Sequence, residues 1–223
     1  MKCMAVMSMP RLCFKNNIFC AKRAFEALDI PLVDGGGASW KQGLSQTLKR
    51  GIDEGFDCAF ALDYDAVFGI SHVKAMLDIM EELDWVDILV PLQSRQYGSS
   101  EVLFQPANPT GPTGMPPPDQ RDNRVARIAT GHFGLTPIRL SALAKIKKPW
   151  FQDIPDPDGD WGKRKTDADM AFWANWRDSG REVYLANQIR IGHMQLMVTW
   201  PGIDLRPYNI PIEQWDEQEG DFA

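Results

Sequence analysis

Long apolar runs are missing from this sequence, and basic residues do not outnumber acidic ones. No apolar stretch approaches the ~20 residues that a helix needs to cross a bilayer, so we expect no membrane span. The net charge is -6 at pH 7, and the isoelectric point is about 5.1. Nucleic-acid-binding proteins usually carry a basic face, so no nucleic-acid partner is expected. A nucleotide ligand is compatible with this charge, because a bound metal ion can neutralise a diphosphate locally.

Cysteine is also scarce, and its spacing is irregular. Cys3, Cys13, Cys20 and Cys58 fit no zinc-binding pattern, and no His-x-x-x-His motif accompanies them. Residues 1–10 hold one lysine and a short apolar run but no small-residue cleavage site, unlike a signal peptide. We therefore expect a cytoplasmic protein whose thiols are reduced.

The composition is otherwise that of a globular protein. Hydrophobic residues make up 44% and charged residues 24% of the 223 positions, which are ordinary proportions. This length is enough for one α/β domain with a full core. Because no internal repeat or second domain is evident, residues 1–223 are predicted to form a single domain.

The first 95 residues alternate short apolar runs with segments of helical periodicity. Strands are predicted at 4–9, 30–33, 57–62 and 86–91, and helices at 15–28, 40–54 and 71–83. Such alternation is typical of a mononucleotide-binding α/β unit, in which ligands bind at the carboxyl ends of the strands. The third strand delivers Asp63-Tyr64-Asp65 to that edge of the sheet.

The rest of the chain begins with a change of character. Residues 96–124 are rich in Pro and Gly, which predicts no regular structure there and leaves two interpretations, an idle surface loop or a mobile lid over a site. Further on we predict a strand at 125–135, helices at 138–146 and 167–179, closing strands at 182–185 and 188–191, and an acidic, Pro-rich tail at 199–223.

Four Asp-x-Asp pairs occur, at 63/65, 156/158, 158/160 and 167/169. Only Asp63 and Asp65 follow a predicted buried strand, where a carboxylate without a partner is unstable. A hard cation such as Mg²⁺ or Mn²⁺ is the natural partner and would bring substrate phosphates with it. Helix capping by Asp65 is the alternative. The 156–160 cluster is typical of a solvated turn, and the 167/169 pair suits a helix N-terminus.

The ordered set of these motifs resembles the GT-A glycosyltransferases, especially the small phage and bacterial members and enzymes like those of family 2. Residues 40–44 (WKQGL) and 62–68 (LDYDAVF) are similar to the donor-binding half of that family. Residues 130–135 (TGHFGL) and 148–151 (KPWF) are similar to the acceptor half, and the resemblance covers roughly residues 4–197.

The resemblance implies a Rossmann-like α/β fold, with a mixed, mostly parallel sheet flanked by helices. Within one GT-A-like domain, residues 1–95 would form the donor half, 96–124 the lid and 125–198 the acceptor half, followed by the C-terminal tail at 199–223. The implied activity is that of a hexosyltransferase-type enzyme dependent on Mn²⁺ or Mg²⁺. It would move a sugar from a nucleotide-diphosphate donor to a hydroxyl of a glycan, a protein or a small molecule.

The resemblance also implies roles for individual residues. Asp65 and His193 would ligate the metal, and Asp63 would hold either the metal or the donor ribose. Asp169 would be the general base, although Ala168 stands where the family has Glu, and the displaced Asp167 is the second candidate. Contacts to the nucleotide sugar would come from Pro10, Arg11, Asp34, Trp40, Gln42, Asp63, Tyr64, Gly131 and His132.

Three other classes of protein share parts of this pattern. Residues 62–67 (LDYDAV) resemble the first motif of haloacid-dehalogenase-type phosphatases, but two strand–helix units precede the motif here. A sugar nucleotidyltransferase should carry a Gly-rich loop after its first strand, and residues 9–12 (MPRL) lack glycine. A non-catalytic nucleotide-sugar-binding module is the third alternative, which donor binding without turnover would support.

Overall fold

The computed structural model describes residues 1–9, 13–37, 39–94, 104–106, 123–201 and 207–211. The predicted contacts of Pro10 and Arg11, and most of the predicted lid and tail, lie outside these ranges. The strands are β1 (Cys3–Ser8), β2 (Leu32–Asp34), β3 (Cys58–Asp63), β4 (Ala66–Val67), β5 (Leu89–Gln93), β6 (Gln105–Pro106), β7 (Val125–Thr130), β8 (Thr136–Arg139), β9 (Val183–His193), β10 (Met197–Pro201) and β11 (Pro207–Pro211). The helices are α1 (Lys15–Glu26), α2 (Trp40–Asp53), α3 (Ile70–Glu82), α4 (Leu140–Leu143) and α5 (Ala168–Asp178).

The strands form a mixed sheet with parallel pairing in its first part. β1 pairs in parallel with β2 and β3, and β8 lies antiparallel on the other side of β3. A single bridge between Ile88 and Ile138 connects this group to β5, which runs parallel to β9. β7 pairs with the first half of β9, and the short β4 pairs with its end. The carboxyl ends of β1, β2 and β3 therefore share one edge.

Helices cover both faces of the sheet because its strands are apolar on both sides. Met4 and Val6 of β1 pack into a cluster that includes buried side chains of α2, α4 and α5. The alternate residues Cys3, Ala5 and Met7 pack into a second cluster with α1 and α3. Alternation along one strand thus supplies two cores, as expected for a strand buried on both faces. The predicted α/β class, with a mixed sheet flanked by helices, is confirmed.

The boundaries of three predicted elements were wrong. The helix predicted at 138–146 was wrong in its first part, because residues 136–139 form β8 by pairing with β3, and only α4 remains of that helix. The two closing strands are one strand, β9, in which Asn187 is accommodated by donating its side-chain N–H to the Asn123 carbonyl. Part of the segment predicted to lack regular structure forms β6, which pairs with β7 next to the buried Phe104.

The start of α3 also differs from its prediction. The helix is capped at Gly69 instead of Ser71, and the Gly69 N–H donates to Nδ1 of His72 over 3.0 Å. The His72 ring thus satisfies one of the open N–H groups of the helix N-terminus. Its task at this position is structural.

Candidate active site

The turn between β3 and β4 carries the sequence-predicted acidic pair. Asp63 ends β3 and is half-buried, Tyr64 is exposed, and the next residue, Asp65, is only 7% exposed. β4 then pairs antiparallel with the end of β9, which sets Ala66 opposite His193. This pairing brings Nε2 of His193 to 3.2 Å from Oδ2 of Asp65.

The orientation of the His193 ring is set by a backbone carbonyl. Nδ1 lies 2.9 Å from the carbonyl oxygen of Ser94, and because a carbonyl can only accept, we assign the proton to Nδ1. In the neutral ring, Nε2 then directs its lone pair at the Asp65 carboxylate. Only a positive charge makes that contact favourable, either a second proton on the ring or a cation shared by both groups. Histidines that ligate metals commonly donate their other ring N–H in this way.

The charge state of His193 reflects the same surroundings. Burial by itself lowers the pKa of His193, but the hydrogen bond to Asp65 and the Ser94 carbonyl outweigh it, so the pKa is raised above its ordinary value of 6.5. In the absence of another cation, the proton is therefore held between imidazole and carboxylate more tightly than on a free histidine.

The position of Asp63 disfavours the charged form of its carboxyl group. Burial, followed by repulsion from Asp65, raises the pKa of Asp63 from 3.8 to about 7, and Asp169 adds to the effect while His193 opposes it. The Asp63 N–H donates to the Phe133 carbonyl over 2.9 Å, which ties the end of β3 to the 130–135 segment. The carboxylates of Asp65 and Asp169 thus both act on Asp63, an arrangement that a bound cation would relieve.

A cleft of about 890 Å³ opens beside this turn. Its lining includes six residues that the sequence placed in the site: Asp34, Trp40, Asp63, Tyr64, His132 and Asp169. The other lining residues are Ser8, Met9, Cys13, Ile18, Gly37, Ser39 and Phe133. Gln42, Gly131 and Asp167 are not among the described residues that line it, and Gln42 and Asp167 are exposed. The predicted metal ligands Asp65 and His193 are also not among the described residues that line it, although Asp65 directly follows Tyr64, which does.

The wall formed after β2 depends on a glycine in α2. A Cβ atom on Gly43 would lie 1.6 Å from the carbonyl oxygen of Gly35, so only glycine lets the helix approach the loop this closely. The loop sets Asp34 and Gly37 on the cleft surface. Trp40, the first residue of α2, is 42% exposed there and packs edge-on against Phe151, with ring centroids 5.6 Å apart.

His132 lies in the cleft wall with both ring nitrogens engaged. Nε2–H donates to the Pro91 carbonyl over 2.9 Å, and Nδ1 accepts from the Gly134 N–H over 3.1 Å. Burial lowers the pKa of His132 to about 4, so the ring is neutral at physiological pH. It therefore contributes an uncharged ring to the cleft wall.

The candidate base is carried by the start of α5. Asp169 is half-buried in the first turn, whereas Asp167, the N-cap residue, is exposed and pairs with Lys165 at 3.1 Å. Asp153 accepts the Ala168 N–H over 2.9 Å and also pairs with Lys41 at the start of α2. The Lys41 partnership lowers the pKa of Asp153 below its ordinary value. Asp153 therefore ties the helix that bears Asp169 to the helix that bears Trp40.

Sequence reasoning missed Asp153 and also missed Asn17. Asn17 is fully buried on α1, and its amide nitrogen donates to the carbonyl of Asp63 over 3.3 Å and to that of Ala66. The sequence signal for Asn17 was a polar side chain next to the apolar face of a predicted helix. Its hydrogen-bond partners, however, lie more than forty positions away in the sequence.

The donor set fits a divalent cation only in part. Among the residues that the structure describes, no group of three or more His, Cys, Asp and Glu side chains could hold a metal ion. Asp63, Asp65 and His193 therefore do not converge as three ligands, while Asp65 and His193 face each other as two. Mg²⁺ typically keeps several waters and binds through one or two carboxylates plus substrate phosphates, which is compatible with so small a protein contribution.

Comparison with solved structures places the fold. The chain aligns with A197 from STIV at a TM-score of 0.57 and 14% identity, covering 94% of this chain and 92% of that one. It aligns with GalNAc-T7, solved with UDP, GalNAc and Mn²⁺, at a TM-score of 0.56 and 11% identity, covering 86% of this chain. The alignment spans 43% of the GalNAc-T7 chain, less than half of its length.

These similarities define the fold as GT-A-like and Rossmann-like. No protein-family model matches the sequence, and no curated protein matches it. None of the helices in the described ranges has both the length and the apolar character needed to cross a membrane.

Proposed function

We propose that this protein is a metal-dependent glycosyltransferase that moves a sugar from a nucleotide-diphosphate donor to an acceptor hydroxyl. The observation that carries the proposal is the Asp65–His193 pair, held at 3.2 Å where β3 ends beside the cleft. In a GT-A-like fold, this pair supplies a carboxylate oxygen and an imidazole nitrogen at the sheet edge where ligands bind. The same fold favours this function over the haloacid-dehalogenase alternative.

On the donor side, Asp65 and Nε2 of His193 would hold Mn²⁺ or Mg²⁺. A cation there stabilises the charge that develops on the leaving diphosphate. Asp63 and Tyr64 line the cleft and would contact the donor, as would Asp34 and Trp40, which also line it. Pro10 and Arg11 follow β1 in sequence and are proposed to approach the nucleotide as well.

An unpaired polar atom in the cleft also supports a polar ligand. Ser8 lines the cleft, and its hydroxyl oxygen is buried without a hydrogen-bond partner among the described residues. Ser8 pairs with Asp63 in the β1–β3 register, so the two side chains reach the same edge. Because a buried polar group without a partner is destabilising, a ligand hydroxyl or phosphate oxygen is its expected partner.

On the acceptor side, Asp169 is proposed as the general base. It lines the same cleft as Asp63 but belongs to α5, so it can face a bound sugar from another direction. There its carboxylate would accept the proton of the attacking hydroxyl. Asp167 is the weaker candidate, because it is exposed and paired with Lys165. The acceptor itself would be a glycan, a protein or a small molecule.

Calorimetry with a panel of nucleoside diphosphates and nucleotide sugars, with and without Mn²⁺, tests the proposal. Asp65→Ala and His193→Ala should weaken the metal-dependent binding and abolish transfer. Asp169→Asn should keep donor affinity and lower turnover by about 10²–10⁴-fold, the usual contribution of a general base. Asp167→Asn is the matched control and should change neither quantity.

Each contrary outcome has a distinct meaning. Loss of donor binding in Asp169→Asn, as severe as in Asp65→Ala, would show that the two roles are wrongly assigned. Full metal-dependent binding in His193→Ala would make that histidine structural. Donor binding by the wild type without transfer to any acceptor would favour the non-catalytic binding module.

A further inference from the structure

We infer that Asn17 is a positioning residue that fixes the turn carrying Asp65 and couples it to the substrate-facing wall of the cleft. The coupling between ligand binding in the cleft and cation binding at Asp65 rests on the proposed function. The fixing of the turn does not depend on that function.

The first step rests on the hydrogen bonds of one amide group. Nδ2 of Asn17 donates to the carbonyl oxygens of Asp63 and Ala66, the two residues that flank Tyr64 and Asp65. Both acceptors are backbone atoms, 46 and 49 positions away in sequence. A single side chain therefore closes the turn from outside, in addition to the β3 and β4 pairings at its two ends.

The second step concerns the orientation of the amide. Two carbonyl oxygens cannot face an amide oxygen, so the NH₂ group must be the part directed at the turn. The Asn17 oxygen is buried and has no hydrogen-bond partner among the described residues. Leaving an acceptor unpaired is destabilising. The contribution of Asn17 at this site is therefore made by its two donors and not by its oxygen.

The third step connects the turn to the cleft. Ile18, the neighbour of Asn17 on α1, lines the cleft, and so does Cys13 just before the helix. The Phe14 ring stacks on the ring of Tyr64, with centroids 6.2 Å apart and planes within 6°. The same short segment thus contacts both the substrate space and the turn that bears Asp65.

The last step follows from linkage. A ligand that packs against Cys13 and Ile18 should make α1 more rigid. Because Asn17 of α1 holds the turn that bears Asp65, the ligand should also raise the affinity of the cation site. By reciprocity, the cation should raise the affinity of that ligand by the same factor. Without the Asn17 amide, ligand binding at Cys13 and Ile18 and cation binding at Asp65 should affect each other less.

The test compares wild type with Asn17→Leu, which keeps the number and branching of the side-chain heavy atoms and removes both donors. The matched control is Asn187→Leu, because Asn187 is also a buried asparagine whose Nδ2 donates to a backbone carbonyl, that of Asn123. Mn²⁺ affinity is measured by electron paramagnetic resonance, with and without UDP, GDP, CDP or ADP. Hydrogen exchange of residues 63–67 is measured in the absence of any ligand.

For Asn17→Leu we expect Mn²⁺ affinity to fall by about 10–100-fold, the usual effect of removing a group that orients metal ligands. The enhancement of Mn²⁺ binding by a nucleoside diphosphate should fall at least fivefold, and exchange at residues 63–67 should rise. Asn187→Leu should leave all three quantities near wild type. Wild-type Mn²⁺ affinity in Asn17→Leu would overturn the inference.

If wild type itself binds no Mn²⁺, the proposed function fails, and exchange alone decides the role of Asn17. Faster exchange at residues 63–67 in Asn17→Leu than in Asn187→Leu would then support the positioning role, and equal exchange would refute it. Should Asn17→Leu not fold, Asn17→Ala serves the same comparison, because water can enter the smaller side chain's space and hydrate both carbonyls.

Discussion

Nε2 of His193 lies 3.2 Å from Oδ2 of Asp65, across 128 positions of sequence. The contact exists because β4 pairs with the end of β9. The Ser94 carbonyl accepts the hydrogen bond from Nδ1–H and thereby leaves Nε2 to face Asp65. A proton and a divalent cation would compete for the space between the two side chains. Acidity should therefore affect the free protein and its metal complex in opposite ways.

The metal-free protein should lose stability as pH rises through the pKa of His193. That pKa is raised in the folded state, so the stabilisation is fully present below the unfolded-state value and disappears above the folded one. Thermal unfolding in EDTA, from about pH 5 to 9, should show this decline. His193→Gln should show a smaller decline over the same range, and parallel curves for both proteins would contradict the assignment. Mn²⁺ affinity should instead fall toward acidic pH.

Asp63→Asn should stabilise the metal-free protein at alkaline pH. The pKa of Asp63 is raised from 3.8 to about 7, so wild type loses stability as pH rises between these values and remains penalised above them. Each pKa unit corresponds to about 1.4 kcal/mol, and since Asp63 is half-buried we expect a gain of about 1–3 kcal/mol. Urea unfolding near pH 8 and pH 4 measures it. The exposed Asp167→Asn should show no such pH-dependent gain.

Cys13 should report on occupancy of the cleft. All four cysteines are free, and Cys13 is exposed and lines the cleft, whereas Cys3 and Cys58 are buried. Thiol titration of denatured, non-reduced protein should therefore find four thiols. In native protein, iodoacetamide should modify Cys13 faster than the buried pair, as mass spectrometry of peptides would show. A nucleoside diphosphate with Mn²⁺ should slow that reaction, and an unchanged rate at saturating ligand would place the ligand elsewhere.

Gly43→Ala should destabilise the protein and disturb the loop after β2. Its methyl group would overlap the Gly35 carbonyl oxygen, so helix and loop must separate, at a cost of about 1–3 kcal/mol. Donor affinity should fall with it, because Asp34 and Gly37 move with the loop. Gly69→Ala is the control, since its Cβ would find its nearest contact at 3.7 Å. Equal chemical denaturation midpoints for the two variants would refute the prediction.

Local sequence pattern was sufficient for the part of the fold that presents the acidic pair. The apolar run ending at Asp63 has the composition of a strand buried on both faces, and strand and helix alternate around it. That Asp63 and Asp34 lie at the same edge of the sheet follows from parallel pairing alone. β8 was missed because residues 138–146 carry a helix-like apolar pattern, and its strand character comes only from pairing with β3.

The supporting contacts could not be derived from local pattern. Asn17 bonds to residues 46 and 49 positions away, and Asp153 pairs with Lys41 across 112 positions. No periodicity encodes such partners, because they arise only after the sheet is assembled. The resemblance to GT-A enzymes suggested His193 as a metal ligand without indicating which group orients its ring. The Ser94 carbonyl supplies that orientation and is a backbone atom, which no side-chain motif can reveal.

The loop that precedes α5 is closed at its base. Ile154 and Thr166 exchange two backbone hydrogen bonds of 2.8 Å, and the neighbouring Asp153 anchors the helix start separately. Residues 157–165 between them are all exposed, Trp161 to 64%, and they form a segment whose base is already held in place. Its length and sequence should be exchangeable without moving Asp169, as insertions are usually tolerated at exposed loop tips.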